Sequence, residues 1–162
     1  MKSYKKNKKV AIIMGSQSDY PIMRDCELIL KKLGIKFETK IISAHRTPER
    51  MFKFSESAVL NNFAVIVAGA GGSAHLPGMI ASVSILPVIG VPIETKKLKG
   101  LDSLLSIVQM PRGVPCASMA INGSFNAGLL AAAIIGIFDE KVKTSLDKWR
   151  RLQTKSVKKK PK

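Results

Sequence analysis

Short apolar runs alternate with longer amphipathic stretches along most of this 162-residue chain. Several of these runs have no polar alternation, which is typical of strands whose two faces are both covered. The pattern predicts strands at residues 10–14, 37–42, 64–68, 87–91 and 116–121. Strands that alternate with helices imply right-handed crossovers and a parallel sheet. The sequence therefore predicts an α/β fold, a three-layer αβα sandwich of the flavodoxin-like or Rossmann-like kind.

Helices are predicted in the stretches between the strands. These stretches cover residues 20–33, 75–84, 101–109 and 139–153, and another helix opens at residue 48. Thr47 is the expected N-cap of that other helix, and Pro48 suits its first position. The apolar stripe of the last helix consists of Val142, Leu146, Trp149 and Leu152.

Residues 127–138 are almost wholly apolar. The segment has 12 residues and is interrupted by Gly128 and Gly136, whereas a helix needs about 20 residues to cross a bilayer. We therefore expect no membrane contact. A helix that is apolar on all sides must be buried all round, so we expect a subunit interface to cover it as much as the core does.

The net charge of +16 is concentrated at the two ends of the chain. Residues 1–9 hold five lysines and residues 148–162 hold eight basic residues, with no acid in either stretch. Residues 10–147 carry all 11 acidic residues and a net charge of only +3. We predict one domain at 9–155 between disordered basic tails at 1–8 and 156–162, and no nucleic-acid partner. A basic protein that associates with nucleic acid through its tails is the alternative.

The two cysteines, Cys26 and Cys116, have no C-x-x-C partner and predict neither a disulfide framework nor a zinc site. They are typical of small buried hydrophobic residues in a reducing compartment. The lysine-rich N-terminus is followed by an apolar run too short for the core of a signal peptide. These features predict a cytoplasmic protein.

In an open parallel sheet the binding crevice lies at the carboxyl ends of the strands, so the loops after the strands are the candidate sites. The first such loop is G-S-Q-S-D, residues 15–19. Its glycine, the hydroxyls of Ser16 and Ser18 and the following helix N-terminus suit a phosphate, whereas the Asp19 carboxylate suits ribose hydroxyls. The alternative is that Ser18 or Asp19 only caps the helix.

The second loop, S-A-H-R-T-P at 43–48, places a histidine beside an arginine at a strand end. Imidazole titrates near neutral pH, and a guanidinium grips phosphate with a fork of donors. His45 and Arg46 are therefore candidate functional residues, and a plain surface loop before a capped helix is the alternative.

The third loop, A-G-A-G-G-S-A-H-L-P-G at 68–78, contains the second histidine, His75. Its small residues allow backbone amides to approach a flat ligand and to exclude water. A histidine that is merely hydrogen-bonded within a packed loop is the alternative for His75.

The same loop also fits a dinucleotide fingerprint through Gly69, Gly71 and Ala74, with Glu94 about 20 residues further on. Pro77 argues against it, because a Rossmann helix is expected to continue uninterrupted from the third small residue. The two histidines lack metal-ligand spacing, so no metal site is expected.

Four motifs combine in order: G-S-Q-S-D, S-A-H-R-T-P, the glycine-rich run 68–79 and Q-M-P-R-G-V-P at 109–115. With these motifs in register over roughly residues 9–153, the chain resembles the bacterial 5-(carboxyamino)imidazole ribonucleotide mutase family of purine biosynthesis. The resemblance implies transfer of a carboxyl group from the exocyclic amine of the imidazole to the neighbouring ring carbon. It also implies no cofactor, ATP, biotin or metal, and a homo-octamer with active sites at subunit contacts and a C-terminal helix that reaches neighbouring subunits.

The resemblance assigns a role to each candidate residue. His45 is the implied catalytic acid and base. The implied substrate-binding residues are Ser16, Ser18 and Arg46 for the 5′-phosphate, Asp19 for the ribose, and Ser43, Gly71, Ser73 and His75 around the imidazole and carboxylate. The small apolar wall of the third loop would trap carbon dioxide by excluding water.

Related enzymes that carboxylate aminoimidazole ribonucleotide directly with carbon dioxide usually carry a lysine after the histidine. Arg46 and the A-H-L-P-G run at 74–78 place this sequence on the mutase side. Direct carboxylation and a nucleotide-binding module are the alternative functions. The loop at 120–126 is about two residues shorter than is usual in the family, which affects the expected geometry of the subunit interface.

Overall fold

The computed structural model describes residues 8–160. One sheet of five parallel strands has the order β2-β1-β3-β4-β5. The strands are β1 (Lys9–Met14), β2 (Phe37–Ile41), β3 (Phe63–Gly71), β4 (Val88–Ile93) and β5 (Ala117–Ser118). The strand order reverses between β1 and β3, as it does in flavodoxin-like folds. The predicted α/β fold is confirmed.

Helices cover both faces of this sheet. They are α1 (Tyr20–Lys32), α2 (Pro48–Ser57), α3 (Leu76–Val83), α4 (Leu101–Val108), α5 (Ser124–Gly136) and α6 (Glu140–Ser156), and a 3₁₀ turn (Gln17–Asp19) precedes α1. One face packs against α1 and α5, with α6 on the outside of α5. The other face packs against α2, α3 and α4. The arrangement is the predicted three-layer sandwich.

The central strand β3 is buried on both faces from its first residue to Ala70. Val65 and Val67 join the core under α1 and α5, whereas Ile66 and Ala68 join the core on the other face. This alternation gives the sheet two separate apolar cores, and it explains the run of apolar residues without polar alternation.

Two predicted strands differ from those observed by four residues in length, whereas the other three differ by one. The third was expected to end at residue 68, but β3 continues to Gly71 because Gly69 to Gly71 pair with β4 up to Ile93. The fifth was expected over 116–121, yet only Ala117 and Ser118 pair with β4. β5 lies at the edge of the sheet beside β4, and the apolar residues at 119–121 are not part of the strand.

Thr47 precedes α2 as predicted, but its hydroxyl does not cap the helix. Thr47 Oγ1 instead accepts a hydrogen bond from Ser43 N at 2.9 Å and donates one to Ser43 O at 3.0 Å. The side chain therefore closes the loop after β2 rather than the first turn of α2. In the last helix the predicted stripe holds for Val142 and Leu146, which are buried, whereas Leu152 is exposed.

The predicted basic tails lie partly outside the described residues, which omit 1–7 and 161–162. Four of the basic residues in 148–162 belong to α6, namely Lys148, Arg150, Arg151 and Lys155. The helix extends to Ser156, the first residue of the predicted C-terminal tail. That part of the positive charge is therefore carried on a helix.

Both cysteines are free, and Cys26 lies in the core. Burial raises the pKa of the Cys26 thiol to about 12 and that of the Cys116 thiol to about 11. Cys26 is buried as predicted, whereas Cys116 is half-buried and packs against the second core.

The apolar helix α5 lies between the sheet, α1 and α6, so a single chain covers most of its surface. The end of the predicted apolar segment is different, because Ile137 is 82% exposed and Phe138 is 44% exposed. No helix within residues 8–160 is long and apolar enough to cross a membrane.

Gly128 allows α5 to approach α1 closely. A Cβ at this position would lie 2.4 Å from Ile29 Cγ2 and 3.3 Å from Cys26 O. We expect Gly128→Ala to destabilise the protein by about 1–3 kcal/mol through overpacking, although alanine is the better helix former. Chemical denaturation at a fixed protein concentration measures the change.

Gly136→Ala is the matched control in the same helix, since a Cβ there would be 3.4 Å or more from every neighbouring atom. This variant is expected to be neutral or more stable by up to about 1 kcal/mol. Equal stability of the two variants would contradict the close-approach argument.

Candidate active site

The carboxyl ends of β1, β2, β3 and β4 converge on a cleft of about 460 Å³. The cleft lies where the strand order reverses, the usual ligand position in open α/β sheets. Eight of the predicted site residues line it: Ser16, Ser18, Asp19, Ser43, His45, Arg46, Gly71 and Ser73. A larger groove of about 790 Å³ along α2 shares Arg46 but contains neither histidine. The smaller cleft is therefore the candidate active site.

The loop after β1 is closed by a reciprocal capping box. Ser16 N donates to Asp19 Oδ2 at 3.0 Å, and Ser18 N donates to Ser16 Oγ at 3.4 Å. Ser18 Oγ also lies 3.4 Å from Asp19 Oδ1. Capping and ligand binding were separate alternatives for this loop, but the same side chains both cap the turn and line the cleft.

Asp19 is buried and lines the cleft. Loss of hydration raises the pKa of its carboxyl above the ordinary value. Hydrogen bonds from Ser16, Ser18 and the Gly15 backbone, together with the charge of Arg46, favour the ionised form and limit the rise. The carboxylate is thus held by fixed donors where water has limited access.

The loop after β2 presents His45 and Arg46 side by side. Arg46 Nη2 donates to Gly15 O at 2.8 Å, and Arg46 Nε donates to Ser43 Oγ at 3.3 Å. These bonds direct the guanidinium towards the loop after β1, whose hydroxyls line the same cleft. One cation and two serine hydroxyls in this arrangement suit a phosphate group.

The side chains of the two histidines are in contact with each other. His45 Nε2 lies 2.9 Å from His75 Nδ1, and the ring centroids are 5.0 Å apart with the rings nearly perpendicular. His75 itself is not among the residues that line the cleft. The structure therefore joins the second and third loops through the two histidines, of which His45 lines the cleft.

The first glycine of the possible dinucleotide fingerprint does not lie in a turn, which agrees with the argument against this fingerprint. Gly69 lies within β3, where a Cβ would be 2.3 Å from Met23 Sδ of α1. This glycine permits close packing of helix and sheet rather than a phosphate turn. Pro77 argues against the fingerprint but does not prevent the helix predicted at 75–84, because it occupies the first turn of α3, where no backbone donor is lost.

The loop after β4 is a fourth wall that the sequence analysis did not identify. Ile93, Glu94 and Thr95 line the cleft, and Thr95 Oγ1 donates to the Asp102 carboxylate at 3.0–3.1 Å. Glu94 was considered only within the dinucleotide fingerprint. Its position follows from the same rule that located the other three loops, because every strand end of a parallel sheet faces this edge.

The loop at 120–126 also reaches this wall. Asn122 has φ of +60° and accepts a hydrogen bond from Glu94 N at 3.0 Å through its Oδ1. Asn122 Nδ2 donates to Glu94 Oε2 at 3.3 Å. The loop therefore contacts a residue of the cleft as well as bearing on the expected interface.

Among residues 8–160 no three His, Cys, Asp or Glu side chains are close enough together to hold a metal ion. The polar groups of the cleft are donors and acceptors suited to an organic anion. The fold and the cleft together define a flavodoxin-like α/β protein with a polar cleft at its switch point.

The chain belongs to the AIR carboxylase family, because the family's sequence profile matches residues 9–156. The N5-carboxyaminoimidazole ribonucleotide mutase of Brucella melitensis is 54% identical over 94% of this chain and 95% of its own length. The mutase of Thermotoga maritima is 60% identical over 80% of this chain and 75% of its own length. The predicted family and the mutase class are confirmed.

A crystal structure of PurE from Treponema denticola superposes on this chain with a TM-score of 0.83. The two sequences are 27% identical, and the superposition covers 91% of this chain and 92% of the other. The fold is therefore shared along nearly the whole length.

The raised pKa of Asp19 predicts a pH-dependent effect of Asp19→Asn on stability. Between the ordinary and the raised pKa the folded state binds more protons than the unfolded state, so wild-type stability falls as pH rises through this range. Asparagine does not titrate. We expect the variant to gain stability relative to wild type as the pH is raised from about 3 to 7.

Denaturant unfolding at several pH values measures this difference. Asp25→Asn removes an exposed carboxylate of α1 and controls for the loss of one negative charge. A relative stability of Asp19→Asn that stays constant or falls with rising pH would contradict the burial of the Asp19 charge.

Proposed function

We propose that this chain moves the carboxyl group of 5-(carboxyamino)imidazole ribonucleotide from the exocyclic nitrogen to the neighbouring ring carbon. The product is 5-amino-1-(5-phosphoribosyl)imidazole-4-carboxylate, so the reaction is an isomerisation within purine biosynthesis. The observation that carries this proposal is the adjacency of His45 and Arg46 on one loop of the cleft. That loop offers a group for proton transfer beside a group that holds a phosphate.

His45 moves the proton in both halves of the reaction. In the first half it donates a proton to the exocyclic nitrogen as the nitrogen–carboxyl bond breaks and releases carbon dioxide. The ring carbon then attacks carbon dioxide, and the neutral His45 removes the proton that this carbon carried. Proton and charge balance over the cycle, which is why one residue serves as both acid and base.

His75 supports this role through its contact with His45. A hydrogen bond of 2.9 Å between the rings requires a proton on one nitrogen and a lone pair on the other. The contact orients the imidazole of His45 in the cleft, as second groups commonly do for catalytic histidines. His75 thus acts through His45, the group that transfers the proton. It lies beside the part of the cleft where the family resemblance implies that the imidazole and carboxylate bind.

The phosphate and the ribose are held by the first two loops. Arg46 and the hydroxyls of Ser16 and Ser18 bind the 5′-phosphate, and Asp19 accepts hydrogen bonds from the ribose hydroxyls. Arg46 is already fixed by Gly15 O and Ser43 Oγ. Little side-chain entropy remains to be lost when the phosphate binds.

Carbon dioxide must be retained between the two halves of the reaction. The cleft has small or apolar side chains from Ala44, Ala70, Leu76 and Ile93, beside Gly71 and Ser73. Such a wall offers few hydrogen bonds to water and holds carbon dioxide next to the ring carbon. Retention avoids the entropic cost of a second bimolecular encounter.

Direct carboxylation of aminoimidazole ribonucleotide by free carbon dioxide is the alternative chemistry for the same cleft. The two activities differ in their need for external carbon dioxide. Isotope-labelled bicarbonate enters the product of a direct carboxylation, whereas a mutase transfers the carboxyl carbon of its own substrate. Labelled product in proportion to turnover would replace the mutase proposal with the carboxylase.

We also infer a cytoplasmic homo-octamer without nucleic-acid partners. Apolar side chains exposed on the single chain support assembly, among them Leu60, Ile85 and Ile137, each more than 80% exposed. The C-terminal helix α6 and the end of α5 would meet neighbouring subunits. Sedimentation at about eight times the 17.6 kDa chain mass supports the octamer.

We expect His45→Asn to bind the ribonucleotide nearly as well as wild type but to lose about 10²–10⁴-fold in kcat. The phosphate and ribose contacts come from other residues, whereas the asparagine amide cannot serve as an acid or a base near neutral pH. Interconversion of the two carboxylated ribonucleotides measures activity, and isothermal titration measures affinity. A fully active variant would exclude His45 as the acid and base.

Arg46→Gln is expected to weaken ribonucleotide affinity by about 10- to 100-fold, since it removes a charge-assisted contact of about 1.5–3 kcal/mol. Arg50→Gln is the matched control, because Arg50 lies outside the cleft and donates to Ile41 O. The dephosphorylated nucleoside should bind both variants equally. A loss of affinity that persists for the nucleoside would assign Arg46 to another part of the ligand.

A further inference from the structure

A buried serine hydroxyl continues the β3–β4 pairing by one step beyond its last residue pair. The strands pair up to Gly71 opposite Ile93. Beyond this pair, Gly72 N donates to Ser103 Oγ at 2.8 Å, and Ser103 Oγ donates to Ile93 O at 2.7 Å. In a regular parallel ladder Gly72 N would donate to Ile93 O directly. Ser103 therefore occupies the place of one backbone hydrogen bond.

The inserted hydroxyl lets the two strand ends separate without leaving backbone groups unpaired. Gly72 has φ of +67°, so the chain turns away from β4 at this residue. Ser73 on one side and Thr95 on the other then line the cleft. Ser103 is fully buried, and water cannot readily take over its two hydrogen bonds. The spacing between the third and fourth walls of the cleft thus depends on this hydroxyl.

Helix α4 connects the same two walls through residues near Ser103 as well. Asp102 accepts from Thr95 Oγ1 on the fourth wall and from Ser103 N at 2.9 Å. Ser106 Oγ donates to Asp102 O at 2.7 Å and lies 3.4 Å from Gly72 O on the third wall. Ser103 is the member of this group that is bonded to both strand ends.

We propose that Ser103 is a positioning residue that holds the Gly71–Ala74 loop at the distance from β4 needed to enclose carbon dioxide during the carboxyl transfer. The inference rests on the proposed function. Ser103 does not line the cleft, so it acts through Gly72 and Ile93. Without the hydroxyl, Gly72 N and Ile93 O lose their partner, and the loop must shift to restore a hydrogen bond.

The test compares wild type with Ser103→Ala, starting from the carboxyamino ribonucleotide. We expect kcat to fall by about 10- to 100-fold, because a shift of about 1 Å in a positioning loop has effects of this size. A larger fraction of the substrate should end as aminoimidazole ribonucleotide and free carbon dioxide. Ribonucleotide affinity should be little changed, because the phosphate and ribose contacts belong to the first two loops.

Ser55→Ala is the matched control, since Ser55 is as buried as Ser103 but bonds only to Met51 O within α2. If Ser103→Ala does not fold, Ser103→Cys replaces it, because a thiol has nearly the same shape but is a weak donor and acceptor. The fraction of substrate that ends as aminoimidazole ribonucleotide and free carbon dioxide distinguishes a positioning role of Ser103 from a general loss of stability. A fraction equal to that of Ser55→Ala would overturn the proposal.

The same measurements separate this inference from the proposed function. If wild type does not interconvert the two carboxylated ribonucleotides, the proposed function fails, and the role of Ser103 in it fails with it. If wild type interconverts them and the Ser103 variant retains carbon dioxide as wild type does, only the inference about Ser103 fails.

Discussion

The pairing of β3 with its two neighbours is the constraint on which the rest of the structure depends. This strand is covered on both faces along most of its length, so its side chains must fill two cores at once. Its second half consists of alanine and glycine, and Gly69 permits close contact with Met23 of α1. Because the small residues continue past the end of the pairing, one segment supplies both tight packing and an open cleft wall.

Around the cleft, each loop is tied to the next by a specific contact. Arg46 joins the second loop to the first, and the two histidines join the second loop to the third. Ser103 joins the third loop to the end of β4. Loops that are connected in sequence only through long helices are thus held in one geometry. Such preorganisation places catalytic groups before the substrate arrives.

Much of this arrangement was predictable from the sequence. Parallel strands have their carboxyl ends at one edge, so loops rich in Ser, His and Arg after three strands had to meet there. Local patterns did not predict the His45–His75 contact or the part played by Ser103. Both depend on the distance between loops, which is set by packing of the whole sheet. The predicted end of the third strand was wrong for a related reason. Residues 69–71 belong to the strand because they pair with β4, and this pairing depends on where β4 lies in the sheet.

The burial of Asp19 links the electrostatics of the cleft to its chemistry. The pKa of its carboxyl is raised because burial removes hydration, and hydrogen bonds from Ser16 and Ser18 limit the rise. Arg46 is exposed, and in the proposed reaction its guanidinium holds the phosphate of the ribonucleotide through charge-assisted hydrogen bonds. The small apolar side chains of the cleft favour retention of carbon dioxide in the same reaction. For the proposed reaction, a cleft with small apolar walls and a few fixed polar groups therefore suits anion binding and carbon dioxide retention together, and neither requirement opposes the other.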